Sequence, residues 1–567
     1  MLRLKTQETR RPLMSWFRRS AAAWTGARKP GGSARSAAAS SSHSRSPAKG
    51  FLRIRSRSMG GIAPRRGRLA HVTSFGRSRV YRFRRRGSIA AGHPMTGHCR
   101  ESFLPLAIPR RADYTPCRAS RVPDRRMLML EPGRRALTRR RLLQGAASAA
   151  GAAVAAPYVI TSTALGAEGR PAASDRITLG FIGTGGRGTA LLTNFLGLYE
   201  SQTVAVCDVK RPMRERARQM VHQHYGKEGC AVYNDFREVC GRADIDACVI
   251  GSTDHWHVLH ALEAVRSGKD IYVEKPLGLS IEQDKALRRA VQRYGRVFQF
   301  GTQERSSWST REACQIVRNG WIGKVRRILV GTRYSRSAPN FPPMPVPEWL
   351  DYDLWLGPAP WAPYTDNRVS NGYWFHISDY SLGFIAGCGI HTIDMATWGN
   401  GTDLTGPVEV QGAGEYPRDG LCDCVTAWSA DLTFANGAVM NFTDGEKNPL
   451  GVRFEGTDGW VFVKERHLGG TLDAEPKELL RRTPAPGDLH LPVSNHHQQN
   501  FLECIRTRAQ TVAPIEVAVR SDTLCHLSDI AMRLGRRLRW DPDKEEFPGD
   551  DEANRMLTRP MRSPWRL

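Results

Sequence analysis

The amino-acid sequence predicts two folded parts, an α/β domain with a parallel sheet followed by an α+β domain with an open, mostly antiparallel sheet. From Asp175 onward, short apolar runs alternate with helical stretches, which is typical of βαβ units with helices on both faces of a sheet. Beyond residue 338 this alternation stops. Asn436-Gly437 and Asp458-Gly459, each between alternating runs, indicate antiparallel hairpins with two-residue loops. We expect the first domain over residues 175–303 and the second over residues 304–567.

The positive charge of the chain is concentrated in its first part. The 567 residues carry a formal net charge of +28. Residues 1–126 hold 30 Lys+Arg against 4 Asp+Glu, so the remainder is nearly neutral. The composition of this segment predicts a disordered basic tail. We interpret it as sequence translated from too early a start, with Met127 or Met129 as the real start. We expect no nucleic-acid binding by the folded part, and binding by the tail is the less favoured interpretation.

Residues 127–174 resemble a twin-arginine (Tat) export signal and a linker. The signal begins with TRRRLL at Thr138, and an apolar run at 146–160 and small residues up to Ala167 follow. The run is short and rich in alanine, whereas a stable membrane span needs about 20 apolar residues. We therefore expect an exported, periplasmic protein without a stable span, which uses the Tat machinery. A cytoplasmic location is the alternative.

Five strands are predicted in the first domain. Their sequences are RITLGFIG, TVAVCD, DACVIG, DIYVEK and VFQFG. The helix after the fourth strand opens with Ser280 and Gln283 in capping-box register and closes at Gly295. The C-terminal segment CHLSDIAMRLGRRLRW is predicted to form a closing helix.

The turn after the first strand carries Gly183, Gly185 and Gly188 as a G-x-G-x-x-G set, with Arg187 inside it. Glycines at these positions let backbone N–H groups approach a pyrophosphate at the N-terminus of the next helix. The position of the motif, after a strand and before a helix, predicts a Rossmann dinucleotide-binding domain.

Asp208 ends the second strand, 20 residues after Gly188. A carboxylate at this place accepts hydrogen bonds from the ribose hydroxyls of NAD and repels a 2′-phosphate. Lys210 and Arg211 could accept that phosphate, so NADP stays the less favoured cofactor.

Two further strand ends are expected at the same crevice, because ligands of such sheets bind outside the carboxyl ends of the strands. One carries Asp254, Trp256 and His257, which we interpret as lining the cofactor; no Cys or His spacing supports a metal there. The other carries Lys275. An ammonium at the end of a buried strand is costly unless a nearby group binds it.

The GTGGRG turn, Asp208, TDHWH, EKP and GIHTIDMATWG together resemble the Gfo/Idh/MocA family of NAD(P)-dependent oxidoreductases, from about residue 176 to the C-terminus. The resemblance implies a sugar, cyclitol or related polyol bound between the two domains. It also implies that Lys275 is catalytic, that Glu274 lies near the nicotinamide ribose, and that Gln303 contacts the cofactor. The Lys275–Pro276 neighbourhood is often a tight, sometimes cis, turn in such proteins.

His391 is the second catalytic candidate, as a general base, with a helix-packing histidine as the alternative. It precedes Asp394 by three residues on a predicted helix, so both side chains could meet one sugar ring. Many family members carry an aspartate four residues before this histidine, where this chain has Gly387. We therefore expect another group to orient His391, and His376 or Tyr380 could fill the gap at the substrate.

These observations lead to three hypotheses. The first is an exported NAD-dependent oxidoreductase that oxidises a secondary hydroxyl of a sugar, cyclitol or glycoside. The second is an NAD-dependent glycosidase or lyase that oxidises a carbon transiently and retains its NAD. The third is a non-catalytic sugar-binding protein on the same fold. For all three we expect a homo-oligomer whose second domain provides the substrate site and the subunit contacts.

Overall fold

The computed structural model describes residues 171–369 and 372–567. The predicted tail, residues 1–126, and the predicted signal, residues 127–174, therefore lie outside the described residues, except for residues 171–174. Within the described ranges, no helix combines the length and the apolarity that crossing a bilayer requires. The ten cysteines in these ranges are free.

The first domain is built on a six-stranded sheet in the order β3-β2-β1-β4-β5-β6. All neighbouring strands are parallel. The strands are β1 (Ile177–Ile182), β2 (Ser201–Cys207), β3 (Ala231–Tyr233), β4 (Ala247–Ile250), β5 (Asp270–Val273) and β6 (Phe298–Phe300). The strand order reverses between β1 and β4, which is where sheets of this type bind ligands.

The five predicted strands are present, and the sequence analysis missed β3. This strand has only three residues, lies at the sheet edge, and is half-buried throughout. It lacks the continuous apolar run that identifies a strand buried on both faces, such as β4, whose four residues are all buried. A short edge strand therefore gives little signal in the sequence.

Thirteen helices lie in the described ranges. They are α1 (Gly186–Leu196), α2 (Arg211–Tyr225), α3 (Phe236–Cys240), α4 (His257–Arg266), α5 (Ile281–Tyr294), α6 (Trp308–Arg318), α7 (Tyr352–Leu356), α8 (Asp366–Val369), α9 (Phe384–Gly387), α10 (Gly389–Asn400), α11 (His497–Thr507), α12 (Ile515–Leu534) and α13 (Asp551–Arg555). The predicted cap of α5 is confirmed, because Ser280 Oγ accepts from Gln283 N and Gly295 adopts φ 59°.

The second domain is built on an eight-stranded sheet in the order β13-β12-β11-β7-β10-β9-β8-β14. Only β7 and β10 are parallel neighbours, so the predicted mostly antiparallel sheet is confirmed. The strands are β7 (Arg327–Thr332), β8 (Pro407–Glu415), β9 (Ala427–Phe434), β10 (Val439–Asp444), β11 (Gly451–Glu455), β12 (Trp460–Val463), β13 (Leu472–Glu475) and β14 (Leu538–Arg539).

Both predicted hairpins are present, with one difference in loop length. Gly437, at φ 89°, donates to the Phe434 carbonyl oxygen, and Phe434 donates to the Ala438 carbonyl oxygen. The loop between β9 and β10 therefore has three residues, not two. A glycine in the left-handed region at the end of a three-residue loop is a common hairpin geometry.

The predicted closing helix is α12, which begins ten residues earlier than the expected segment and is followed by β14 and α13. It packs against β8, α10 and α5. Because α5 belongs to the first domain, α12 joins the two domains.

A buried ion pair fixes the start of the second domain against α10. Arg305, just after β6, donates through Nε to both carboxylate oxygens of Asp394 on α10, at 2.9 Å each. Ser521 Oγ donates to Asp394 Oδ1 at 3.1 Å. Asp403 accepts from the Arg305 guanidinium at 3.1 Å. The side chain of Asp394 is fully buried, so each charge of the pair provides the contacts that water would otherwise make with the other.

We expect Asp394→Ala to lower the free energy of unfolding by about 3–5 kcal/mol, because it leaves a buried guanidinium without its main partner. Chemical denaturation monitored by fluorescence measures the loss. Asp403→Ala, which removes the more exposed partner, is the control and should cost less. Equal stability of Asp394→Ala and the wild type would contradict the structural role of the pair.

Candidate active site

The glycine-rich turn has the geometry that a pyrophosphate site needs. Gly183 adopts φ 82°, and a Cβ there would lie 2.4 Å from the Ser252 backbone nitrogen. A Cβ on Gly188 would lie 1.9 Å from the Gly183 carbonyl oxygen. By contrast, no atom lies within 4 Å of a Cβ built on Gly185 or Gly186. The two outer glycines thus close the turn, while the inner ones leave open space at the N-terminus of α1.

Asp208 connects the end of β2 to this turn. Its Oδ2 accepts from the Thr184 backbone N–H at 2.7 Å, and its Oδ1 accepts from the Lys210 backbone N–H at 2.9 Å. Burial raises the pKa of Asp208, while these two hydrogen bonds act in the opposite direction. The carboxylate still lines the cavity described below.

Glu274 follows β5 and forms an ion pair with the glycine-rich turn. Arg187 Nε donates to Glu274 Oε1 at 2.8 Å, and Gln303 Nε2 donates to the same oxygen at 3.0 Å. Burial opposes the charge of Glu274, but Arg187 and Lys275 outweigh burial and hold its pKa below the ordinary value. Gln303 does not line the cavity itself but supports Glu274, which does; its contact with a cofactor stays a prediction.

Lys275 finds its partner in the second domain. Its Nζ donates to the Gly387 carbonyl oxygen, at the end of α9, at 2.6 Å. The Lys275–Pro276 peptide bond is cis. The residue that the family resemblance makes catalytic therefore contacts the backbone of the position where an aspartate was expected.

One cavity of about 350 Å³ is lined by both the glycine-rich turn and Lys275. The lining residues from the first domain that we had predicted as site residues are Gly183, Gly185, Arg187, Asp208, Asp254, Trp256, His257, Glu274 and Lys275. Side chains of the second domain, including Trp374 and Phe375, close the other wall. The cavity thus runs along the carboxyl ends of β1, β2, β4 and β5, where a dinucleotide is expected.

The TDHWH loop forms one wall of this cavity and contains titratable side chains. Asp254 is buried, and its Oδ2 accepts from Ser381 Oγ at 2.7 Å. Burial raises its pKa to about 7, although Lys275 acts in the opposite direction. His257 lies between the carbonyl oxygens of Pro276, at 2.7 Å, and Ser252, at 3.1 Å, so it fixes the loop after β5. Trp256 stacks on His260 and donates to the Leu354 carbonyl oxygen.

His391 lies on α10, one turn after Gly387. Its Nδ1 is buried and has no hydrogen-bond partner. Burial and then the charge of Lys275 lower its pKa well below the ordinary value. A neutral imidazole with a free ring nitrogen beside Lys275 can accept a proton.

Three substrate candidates are buried and contact other side chains. Asp394 turns away from the cavity, because both its oxygens accept from Arg305. Tyr380 is fully buried and packs edge-on against Trp355, with its hydroxyl accepting from Arg368. His376 is also buried, and burial lowers its pKa to about 4. None of the three lines the cavity, which His391 does not line either, so their role at a substrate stays a prediction.

A second group of titratable side chains near Lys275 was not predicted from the sequence. Glu304, Glu465 and His467 each place one polar atom within 4.8 Å of the others. Burial, followed by the neighbouring charge of Glu304, raises the pKa of Glu465 to about 8. Lys275 and Arg333 act against this rise. These residues follow β6 and β12, which are far apart in the chain, and no motif in the sequence connects them.

Two family models match the two domains of this chain. Residues 177–302 match the family model described as oxidoreductase family, NAD-binding Rossmann fold, and residues 332–567 match the model described as oxidoreductase family, C-terminal alpha/beta domain. Among solved structures, the chain is similar to an aldose-aldose oxidoreductase from Caulobacter crescentus complexed with glycerol. The identity is 19%, the match covers 64% of this chain and 99% of that chain, and the TM-score is 0.48.

Curated relatives match over shorter stretches. A glycosyl hydrolase family 109 protein of Shewanella baltica (strain OS185) is 30% identical over 159 residues, which is 26% of this chain and 35% of that protein. An alpha-N-acetylgalactosaminidase of Shewanella oneidensis is 34% identical over 110 residues, or 19% of this chain and 24% of that protein. The chain thus spans between a quarter and about a third of these relatives. The two family matches, which follow each other along the described fold, show that the chain belongs to the Gfo/Idh/MocA oxidoreductase family.

Proposed function

We propose that this protein is an NAD-dependent oxidoreductase that oxidises a secondary hydroxyl of a sugar, cyclitol or glycoside by hydride transfer. The observation that carries the proposal is the single cavity that includes both the open glycine turn and Lys275. Such a cavity can hold a dinucleotide and bring a substrate to the Lys275 side chain at the same time.

The residues present fit a dinucleotide. Gly185 and Gly186 leave the space that backbone contact with a pyrophosphate needs, and α1 presents its N-terminus there. Asp208 disfavours a 2′-phosphate through its charge, while Lys210 Nζ already donates to the Val369 carbonyl oxygen. These contacts favour NAD over NADP. When bound, a nicotinamide ring supplies the hydride acceptor.

In this proposal, Lys275 stabilises the reacting hydroxyl oxygen and His391 accepts its proton. Lys275 Nζ can exchange the Gly387 carbonyl oxygen for the substrate oxygen, and thereby stabilise negative charge as it develops on that oxygen. The imidazole of His391, a residue that is only partly buried, is the acceptor for the proton. Because its pKa is low, the imidazole is neutral at the start of each turnover.

Glu465 supplies a carboxylic acid on the side of the second domain. With a pKa of about 8, it is mostly protonated at neutral pH and can donate a hydrogen bond to a sugar hydroxyl. We propose that it takes the role of the acid that many family members carry at the position of Gly387, although it comes from a different part of the chain.

The second candidate is an NAD-dependent glycosidase that oxidises one carbon, eliminates the leaving group and then returns the hydride. The names of the curated relatives favour it, since they include a glycosyl hydrolase and an alpha-N-acetylgalactosaminidase. A protonated Glu465 could serve as the acid for the leaving group. The twin-arginine sequence at 138–143 supports export of the folded protein, and an exported enzyme gains from a cofactor that stays bound.

Net NADH formation distinguishes the two candidates. We expect the purified full chain, with added NAD and a panel of aldoses, inositols and nitrophenyl glycosides, to give NADH in proportion to the free sugar consumed. Release of nitrophenol without net NADH would instead identify the closed redox cycle. Both readouts come from the same absorbance experiment.

Replacing Lys275 by alanine tests its role in either reaction. We expect kcat to fall at least ~100-fold, because the variant loses the donor to the reacting oxygen. Lys227→Ala, at an exposed position of the first domain, is the matched control and should retain activity. An unchanged kcat in a folded Lys275→Ala variant would favour the non-catalytic sugar-binding protein.

The raised pKa of Glu465 predicts that stability depends on pH. Between its ordinary pKa of 4.5 and its folded value of about 8, the folded state keeps a proton that the unfolded state has lost. Its contribution is therefore complete below pH 4.5 and is lost as the pH rises through 8, by an amount on the order of a few kcal/mol. Asp254, with a pKa of about 7, acts in the same direction.

Thermal unfolding of the protein without added nucleotide, measured between pH 5 and pH 8, checks this expectation. Glu465→Gln should reduce the fall in melting temperature, and Glu503→Gln, at an exposed position, should leave it unchanged. Identical slopes for Glu465→Gln and the wild type would contradict the assignment of a neutral buried acid.

A further inference from the structure

A second buried cluster lies outside the proposed catalytic site, where α5 of the first domain meets α12. Asp284 on α5 and Asp522 and His526 on α12 each offer one ligand atom, and these atoms all lie within 4.8 Å of one another. Asp284 and Asp522 are 0% exposed and His526 is 4% exposed. Asp522 and His526 are one helical turn apart, with Oδ2 and Nε2 at 3.4 Å.

Three of the four carboxylate oxygens of this cluster lack a hydrogen-bond partner. Both oxygens of Asp284 and Oδ1 of Asp522 are buried without a hydrogen bond. Asp522 Oδ2 accepts from the Gly278 backbone N–H at 3.2 Å. Arg288, one turn beyond Asp284 on α5, pairs instead with Glu516 and Glu545. Two facing buried carboxylates are strongly unfavourable unless positive charge balances them, and a single imidazole could balance only one of the two.

We propose that Asp284, Asp522 and His526 bind one divalent transition cation such as Zn²⁺ or Mn²⁺. Two carboxylates balance the charge of such an ion, and an imidazole nitrogen combined with carboxylate oxygens is a ligand set that it takes. The nitrogen ligand disfavours Ca²⁺ and Mg²⁺, which prefer oxygen alone. The Gly278 carbonyl oxygen lies 3.3 Å from His526 Nε2 and can add a fourth ligand.

A proton shared by the two aspartates is the rival arrangement. Burial and the facing charge of Asp522 raise the pKa of Asp284 well above its ordinary value, with Glu545 acting in the same direction and Arg288 against it. One proton bridges two oxygens, however, and leaves the third unpaired oxygen without a partner. A cation can attract atoms of all three side chains at once.

The site lies directly beneath the segment that follows Lys275. Gly278 contacts Asp522 through its N–H and His526 through its carbonyl oxygen. A Cβ on Gly278 would lie 2.5 Å from Asp284 Oδ1, so the backbone approaches the cluster closely. A bound ion would therefore fix this loop against α5 and α12. Its role is structural, and it does not depend on which reaction the protein catalyses.

Metal analysis of the full chain tests the proposal. Protein purified without chelator should contain about one equivalent of transition metal by plasma mass spectrometry, and EDTA should lower its melting temperature by several degrees, with Zn²⁺ or Mn²⁺ restoring it. Asp284→Asn, which keeps the size of the side chain, should lose the metal and the response to EDTA. Asp529→Asn, on the same helix with its carboxylate paired to Arg533, should retain both.

Two results would overturn the proposal. One is a wild-type protein that contains only trace metal and gains no thermal stability from Zn²⁺ or Mn²⁺. The other is metal that persists in Asp284→Asn and is lost in Glu465→Gln, which would place the ion in the cluster of Glu304, Glu465 and His467. If Asp284→Asn fails to fold, His526→Ala tests the same metal content at the third ligand.

Discussion

The hydrogen bond between Lys275 Nζ and the Gly387 carbonyl oxygen is the contact on which the candidate site depends. It connects the carboxyl end of β5 with the end of α9, and so joins the two domains at the wall of the cavity. The bond satisfies an amine that would otherwise be costly at the end of a buried strand. It also leaves that amine close to His391. This histidine, whose Nδ1 is unpaired, lies one helical turn after Gly387 along the chain.

Two glutamates near this contact have opposite protonation preferences. Glu274 keeps its charge because Arg187 and Lys275 outweigh its burial, whereas Glu465 faces Glu304 and is driven toward its neutral form. The same side-chain chemistry thus provides an anion on the side of the glycine-rich turn and an acid on the side of the second domain. Environments that push similar groups apart in this way are typical of sites that perform acid and base steps.

Much of the fold was predictable because it depends on short-range patterns. The apolar runs of β1, β2, β4, β5 and β6, the cap of α5 and the glycine-rich turn are all readable within a few residues of sequence. The edge strand β3 was not, since a half-buried strand of three residues carries no periodicity. The register of the Gly437 hairpin was missed by one residue, because the sequence marks the turn and not the strand pair that closes it.

The sequence by itself determined which domain comes first, where its phosphate-binding turn lies, and that Lys275 follows the strand that is β5 in the structure. Only the tertiary structure decided which side chains share the cavity. Asp394 was expected at the substrate and is neutralised by Arg305, and Tyr380 is enclosed by aromatic rings. Glu465, which follows a distant strand, lies close enough to Lys275 for that charge to act on its pKa. The physical reason is that local pattern sets the conformation of the backbone, whereas the partner that neutralises a buried charge comes from a residue far away in the chain.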